Sequence, residues 1–336
     1  MSDPLVSVVV PNYNYARALK LCLAALRAQT YPNLEIIVAD DCSTDDSVAV
    51  AESFGVRVVR TPVNGGPAVA RNLGAEHAGG QVLFFCDSDV AAKPDAVANA
   101  VALLRADPEL GAVCGNYDPE PLIKDGLLEE YRCLQQSYWL IADEGRITTL
   151  YTALLAMRAE VFQEIGPFNP RLRETENADY GLRLARRYRI LLTPAVRGVH
   201  DHDHDLRELV RKVFTRAMLH IPMYARRPDF PGGLTSGPRA WGSVAALAVL
   251  VTLALPVAFG AIWGLAPLAI FAAYLGCDRP MYRFVAARRS PVFVVYFVAV
   301  HFFLNVVMAT AAVAGLAGWL ASPRFRRLYD RPAEVS

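Results

Sequence analysis

The chain has no excess of either charge: 34 Lys and Arg stand against 33 Asp and Glu, a formal net charge of +1. Without a basic field there is no electrostatic footprint for nucleic acid. Its six cysteines (22, 42, 86, 114, 133 and 277) form no Cys-x-x-Cys pair and follow no regular spacing. They read as reduced thiols in a cytosolic domain. There is no internal repeat or low-complexity tract. Met1-Ser-Asp-Pro lacks a basic segment followed by an apolar core, so a cleaved signal peptide is not expected. The most consequential lack is local. No Asp, Glu, Lys or Arg occurs from Ala240 to Cys277, nor from Ser290 to Pro323. A membrane span needs about 20 apolar residues, so both stretches are membrane candidates.

Residues 82–89 read Val-Leu-Phe-Phe-Cys-Asp-Ser-Asp. A continuous apolar run this short is a buried strand rather than a helix. It delivers Asp87 and Asp89 to the strand's C-terminal end, where open α/β sheets bind ligands. Two carboxylates there can grip a hard divalent cation, and Mg²⁺ is typically held by one or two carboxylates plus substrate phosphates. Asp-x-Asp also occurs by chance in surface loops, so its surroundings decide.

Those surroundings alternate. Strands are expected at Val6–Val10 (stopped by Pro11), Leu34–Ala39, Val56–Arg60, Val82–Cys86 and Gly111–Cys114. Helices are expected at Ala16–Ala28, Asp45–Phe54 (capped by Ser43 or Thr44), Pro67–Ala78 and Pro94–Ala106. This alternation predicts an α/β domain with a mainly parallel, doubly wound sheet. Asn12, Asn14, Asp40, Asp41, Asn64, Asp87 and Asp89 collect where the strands end. Singly, turns explain the first two and helix capping the Asp40–Asp41 pair; together they mark a ligand crevice.

Four segments carry a resemblance. They are Val6-Ser-Val-Val-Val-Pro-Asn-Tyr-Asn14, Glu35-Ile-Ile-Val-Ala-Asp-Asp-Cys-Ser-Thr-Asp45, Asn64-Gly-Gly-Pro-Ala-Val-Ala-Arg-Asn-Leu-Gly74 and Asp87-Ser-Asp89. In order and spacing the chain resembles family 2 glycosyltransferases over about residues 5–220. The resemblance implies the GT-A fold, a nucleotide-diphospho-sugar donor, and Mg²⁺ or Mn²⁺. It also implies roles. Pro11 and Tyr13 would sit beside the base. Asp40 and Asp41 would read base and ribose. Asn64, Gly65, Gly66 and Arg71 would cover the nucleoside and diphosphate. Asp89 would ligate the metal, and Asp87 would bind ribose or a metal-bound water.

On the acceptor side, Thr152–Arg158 resembles the family's acceptor strand and Glu164-Ile-Gly-Pro-Phe-Asn-Pro170 its turn. Relatives then read Glu-Asp-x-Asp, whose first Asp is the base. Here that position is Asn177, and an amide is no base at neutral pH. Three readings stay open. A neighbouring carboxylate (Glu176, Asp179 or Glu174) serves as base; the acceptor is a phosphate, as in polyprenyl-phosphate glycosyltransferases, and needs none; or the domain is catalytically dead. Glu174 and Glu176 also suit an ordinary solvated first helical turn.

His200-Asp-His-Asp-His-Asp205 follows the strand-like run at Ile190. Period-2 spacing puts three histidines on one face of a strand. Relatives carry a metal-ligating histidine here, which matches His202 or His200. From Leu206 to Ile221 apolar residues recur at helical spacing, with Arg207, Arg211, Lys212 and Arg216 opposite. A basic amphipathic helix before membrane spans suits the interface, or packing on the catalytic sheet.

The domains expected are a GT-A domain over 1–227 that includes this helix (about 206–221), a linker at 228–239, transmembrane helices at 240–323 in two to four spans, and a cytosolic tail at 324–336. A cytosolic donor places the catalytic domain in the cytosol. The positive-inside rule draws the Arg279–Arg289 and Arg324–Arg327 clusters there too, which favours four spans or re-entrant pairs. The function expected is a multi-pass, membrane-anchored inverting glycosyltransferase of the cytoplasmic membrane. It acts on a lipid-linked, polyprenyl or otherwise membrane-presented acceptor in cell-envelope glycan or glycolipid synthesis. The rival of another class is a non-catalytic sugar-nucleotide-binding partner of a glycan exporter. No Gln-x-x-Arg-Trp motif marks a processive synthase.

Overall fold

The structure is a computed structural model that describes residues 3–226 and 237–330. Most of the expected linker (228–236) and the end of the expected tail (331–336) lie outside the described residues. The chain divides into two compact units, Met1–His202 and Asp203–Ser336.

The first unit runs β1 (Val6–Asn12), α1 (Ala16–Arg27), β2 (Leu34–Asp40), α2 (Ser47–Ser53), β3 (Arg57–Arg60), α3 (Pro67–Glu76) and β4 (Val82–Cys86). It continues with β5 (Val90–Ala92), α4 (Ala96–Ala106), β6 (Leu110–Tyr117), α5 (Leu127–Ala142), β7 (Gly145–Ile147), β8 (Leu154–Arg158), α6 (Ala159–Ile165), α7 (Glu176–Leu184) and β9 (Arg189–His200). The strands lie in the order β3-β2-β1-β4-β8-β6-β9-β5, with β7 also on β9. The first four strands pair only in parallel with one another. β8 runs antiparallel to both β4 and β6 and makes the sheet mixed. β1 and β4 are buried along their whole length, as strands covered on both faces must be. α1 seals one face with Leu19, Leu23 and Leu26, each contributing about 1.5–3 kcal/mol on burial.

Two local expectations differ from the structure, and one helix was not expected. β1 does not stop at Pro11 but pairs with β2 through Asn12. The Asn12 carbonyl accepts from the Asp41 amide on the β2 side, so Pro11, one residue back, turns its missing N–H toward β4, whose ladder has already ended at Val9. α2 begins at Ser47 rather than Asp45, and neither Ser43 nor Thr44 caps it. Ser43 Oγ instead takes hydrogen bonds from Asn12 Nδ2 and the Asn14 amide. α5 had no counterpart in the sequence reading because its buried face carries Glu129, Arg132, Gln135 and Ser137, which break the apolar stripe.

The second unit is all α: α8 (Leu206–Arg226), α9 (Gly237–Thr252), α10 (Leu255–Phe259), a 3₁₀ turn (Ala261–Gly264), α11 (Leu265–Cys277), α12 (Arg279–Ala286), α13 (Pro291–Ala321) and α14 (Pro323–Arg326). The amphipathic helix α8 belongs here, not with the sheet. It packs so closely on α13 that a Cβ on Gly315 would lie 2.7 Å from Ile221 Cγ1, and Tyr329 Oη donates to the Leu219 carbonyl at 2.8 Å. Arg239–Phe259 and Pro291–Ala321 are long and apolar enough to cross a membrane. Ala261–Cys277 and Arg279–Ala286 would add a third crossing if the pair, bent by 71°, counts as one. A fourth has no counterpart among the described residues. α13 is one continuous helix, about 46 Å long at 1.5 Å per residue, and the two arginine clusters flank its opposite ends.

One polar cluster interrupts this apolar unit. His301 Nε2 lies 3.2 Å from Asp278 Oδ2, both side chains being buried. Asn305 Nδ2 donates to the His301 carbonyl at 2.9 Å, and Ser243 Oγ donates to Asn305 Oδ1 at 2.8 Å.

Candidate active site

The C-terminal ends of β1, β2 and β4 bring the expected polar residues together. Asn12 Nδ2 bonds Asp40 Oδ1 at 3.2 Å, and Asp40 Oδ2 accepts from the Ser43 amide at 3.0 Å and Arg60 Nε at 3.3 Å. Asp41 uses Oδ1 for Thr61 Oγ1 and the Gly65 amide, at 2.8 and 2.9 Å, and Oδ2 for the Gly66 amide at 2.7 Å. Both carboxylates are buried. Their visible work is to shape the loops, Asp41 by holding Asn64-Gly65-Gly66. Gly66 sits at φ +92, a conformation that favours glycine. Asn14, at φ +57, accepts from the Thr44 amide at 2.7 Å and so ties the first two loops together. Tyr13 is exposed beside them and Pro11 is buried.

Arg71, expected beside the diphosphate, is ion-paired to two of the chain's own carboxylates. It is 3% exposed, with Nη2 on Asp87 Oδ1 at 2.8 Å and Nη1 on Glu176 Oε1 at 2.9 Å. Burial alone would lower its pKa; Asp87 and Glu176 outweigh that and hold it above the usual guanidinium value. Its guanidinium carbon lies 5.8 Å from the centre of the Phe168 ring. Phe168 in turn packs on Phe85 of β4 and Tyr180 of α7. A second arginine, Arg173, makes a parallel link through Nη1 to Asn64 Oδ1 and Nη2 to the Asn64 carbonyl, at 3.1 and 2.7 Å.

Of the three carboxylate candidates, Glu174 is half-buried just before α7, and the other two are ion-paired. Glu176 is ion-paired to Arg71. Asp179 pairs with Arg183 at 3.0 Å on its own helix. Asn177 Nδ2 donates to the Leu150 carbonyl at 3.0 Å. α7 presses on that segment through Gly181, where a Cβ would come within 2.7 Å of Thr148 O.

β9 brings His200 to the acidic pair. Val90 pairs with His200 across β5 and β9, and the Asp201 amide donates to the Asp89 carbonyl at 2.8 Å. His200 Nε2 lies 3.8 Å from Asp89 Oδ1, beyond hydrogen-bond reach. Asp89 Oδ1 and His200 Nδ1 are buried and make no hydrogen bond. Burial raises the Asp89 carboxyl to about 6, against the opposing effect of His200, with Asp87 and Asp201 adding to the rise. A carboxylate left unbonded beside an imidazole is a donor set that fits a divalent cation. The strand ends at His200, so His202 is not on its face; it stacks on His200 instead, with centroids 4.0 Å apart. His204 is exposed.

Two features were not found from the sequence. Tyr117, buried at the end of β6, sets its ring edge against His200 with centroids 5.0 Å apart. Asp125, Glu129 and Asp201 bring carboxylate oxygens within 4.8 Å of one another. Glu129 belongs to the unread helix α5, and no local motif announces either feature. A cleft lined by Arg27, Tyr31, Glu35 and Arg57 opens at the opposite end of β2, away from this chemistry.

Comparison with known proteins agrees with the geometry. Residues 7–166 match the family model Glycosyl transferase family 2. An uncharacterized glycosyltransferase of Haemophilus influenzae is 28% identical over 189 residues, 54% of this chain and 62% of that protein. Glycosyltransferase GlyG of Streptococcus pneumoniae is 36% identical over 118 residues, 34% of this chain and 39% of that protein. The chain thus spans less than two thirds of the length of these curated relatives. In fold it resembles the mannosyltransferase PcManGT from Pyrobaculum calidifontis, solved in complex with GDP-Man and Mn²⁺. The TM-score is 0.58 at 22% identity, covering 96% of this chain and 89% of that one. Residues 7–166 belong to glycosyl transferase family 2, and the first unit of this chain is a glycosyltransferase domain with the GT-A fold.

Proposed function

We propose that the chain is a membrane-anchored inverting glycosyltransferase that moves a sugar from a nucleotide-diphospho-sugar to the phosphate of a lipid acceptor of the polyprenyl-phosphate kind. The observation that carries the acceptor is the state of α7. Asn177 stands where relatives place the base, Glu176 is neutralised by Arg71, and Asp179 by Arg183. A phosphate oxygen is already anionic at neutral pH and needs no proton removed. The two long apolar helices support an acceptor presented in a membrane, with the catalytic domain on the cytosolic side where nucleotide-sugars are made. The broader reading, a lipid-linked hydroxyl acceptor in cell-envelope glycan synthesis, would need another base, for which Glu174 just before α7 is the remaining carboxylate candidate.

Asp89 and His200 would hold the divalent cation, with His202 stacked behind and Asp87 beside it. When bound, the cation supplies a Lewis acid that neutralises charge on the departing diphosphate. This chain's own residues do the rest. Asp41 and the Gly65 and Gly66 amides fix the loop that would flank the nucleotide. Arg71 holds Asp87 in register with α7.

The reconstituted protein with Mn²⁺ should release nucleotide from one member of a nucleotide-sugar panel, GDP-mannose first because the fold neighbour binds it. Release should rise with polyprenyl phosphate, not with the neutral polyprenol, and should vanish in Asp89→Ala. Faster release with the neutral alcohol would favour the hydroxyl acceptor. Binding without release from any donor would favour a non-catalytic sugar-nucleotide-binding subunit.

A further inference from the structure

α12 is a short helix set between two apolar ones. Met281 and Val285 are fully buried, whereas Arg279 and Arg283 are exposed one turn apart. Arg288 follows the helix, stacked 3.8 Å above the Phe284 ring and bonded to the Phe284 carbonyl at 3.1 Å. None of these three arginines is in an ion pair among the described residues. The nearest acid in sequence, Asp278, is turned inward onto His301 at 3.2 Å. Like charges at this helical spacing repel one another, so the cluster lacks an internal counter-charge. The axis supplies the second observation. α12 turns by 71° from the apolar helix that precedes it. If that helix runs along the membrane normal, α12 lies near the membrane plane, apolar side inward and arginines outward.

We propose that α12 is an in-plane interface helix whose Arg279, Arg283 and Arg288 bind the phosphates of anionic lipid headgroups in one leaflet. The inference rests on the membrane reading of the second unit and is independent of the glycosyl-transfer chemistry. A guanidinium fork matches a phosphate in geometry as well as charge. Anionic leaflets attract basic segments placed at their surface. The Phe284 ring and carbonyl fix the Arg288 guanidinium beside the helix end, and the buried pair Met281 and Val285 anchors α12 to the second unit.

The test is thermal unfolding of the full chain in nanodiscs of neutral phosphatidylcholine with and without phosphatidylglycerol. Anionic lipid should raise the Tm of the native chain by roughly 4–8 °C. The rise should vanish in R279Q/R283Q/R288Q and survive in R279K/R283K/R288K, which keeps the charge. Nucleotide release in neutral lipid should be unchanged in both. Equal stabilisation of the Gln variant overturns the proposal, as does reproduction of the shift by soluble inorganic phosphate in neutral discs. A dimer that forms in neutral lipid and is lost in the Gln variant would assign the face to a second copy instead. Extraction of the chain from membranes by alkaline carbonate would overturn the membrane reading itself, a separate outcome from reconstitution without lipid preference.

Discussion

Arg71 donates to Glu176 across 2.9 Å while its other nitrogen holds Asp87 at 2.8 Å. One buried cation thus joins the loop after β4 to the first residue of α7, so these two edges of the candidate site are held in one network. Removing one member of such a network leaves a buried charge uncompensated. Arg71→Met should cost about 3–5 kcal/mol in denaturant unfolding, with part recovered in Arg71→Met/Glu176→Leu. Glu176→Gln keeps the shape. It should lower turnover roughly 10–100-fold through mispositioning, with nucleotide affinity held, a split readable by comparing kcat with the Kd for nucleotide.

Asn177→Asp restores the residue that relatives carry. Here the new carboxylate would face the Leu150 carbonyl in place of a donor, at a cost of about 1–3 kcal/mol. With a phosphate acceptor the rate should fall, since the acceptor already carries negative charge. A faster variant of unchanged Tm would return the base role to this position.

Glu129 makes stability depend on pH. Burial, opposed by the Asp125 amide and reinforced by Asp201, raises its carboxyl to about 7. The folded state therefore binds its proton more tightly than the unfolded chain, whose glutamates titrate near ~4.3. The contribution is full below that value and is lost as pH rises through about 7. Glu129→Gln should flatten the fall in Tm between about pH 4 and 7 and exceed the native chain in Tm above that range. An unchanged slope would show that Glu129 ionises freely.

The buried Asp278–His301 pair in the second unit can be tested as a pair. His301→Leu should strip Asp278 of its partner and cost about 3–5 kcal/mol, seen as a lower Tm in detergent. Replacing both with apolar residues should recover much of that loss. Loss confined to Asp278→Asn, with His301→Leu silent, would mean that Asp278 acts at the bend rather than through the histidine.

The parallel half of the sheet was legible because β1, β2 and β4 are short apolar runs that end in polar residues; β4 ends where the pattern puts it, while β1 and β2 run on into Asn12 and Asp40. Asp89 and His200 were legible as residue types, and their meeting follows from strand pairing. The ion pairs of Arg71 were not. Its partner Glu176 lies far along the chain, and nothing local distinguishes an arginine facing a ligand from one buried between two carboxylates. Tyr117 and Glu129 stayed hidden for a related reason, since polar residues on a buried face look like solvent-facing ones until the fold is known. The two apolar stretches were plain in composition, but the continuity of α13 was not, because a run without charges does not say whether it turns.

Val90 pairs with His200, and that backbone register is what places the imidazole beside Asp89. β5 and β9 come from distant parts of the unit, and such pairings are slow to form because a long loop must close first. The proposed cation site should therefore be completed late in refolding, after the N-terminal strands have assembled. A chain still emerging from the ribosome, with β1 to β4 already made, would hold its acidic pair without the histidine and so stay chemically silent until β9 is delivered.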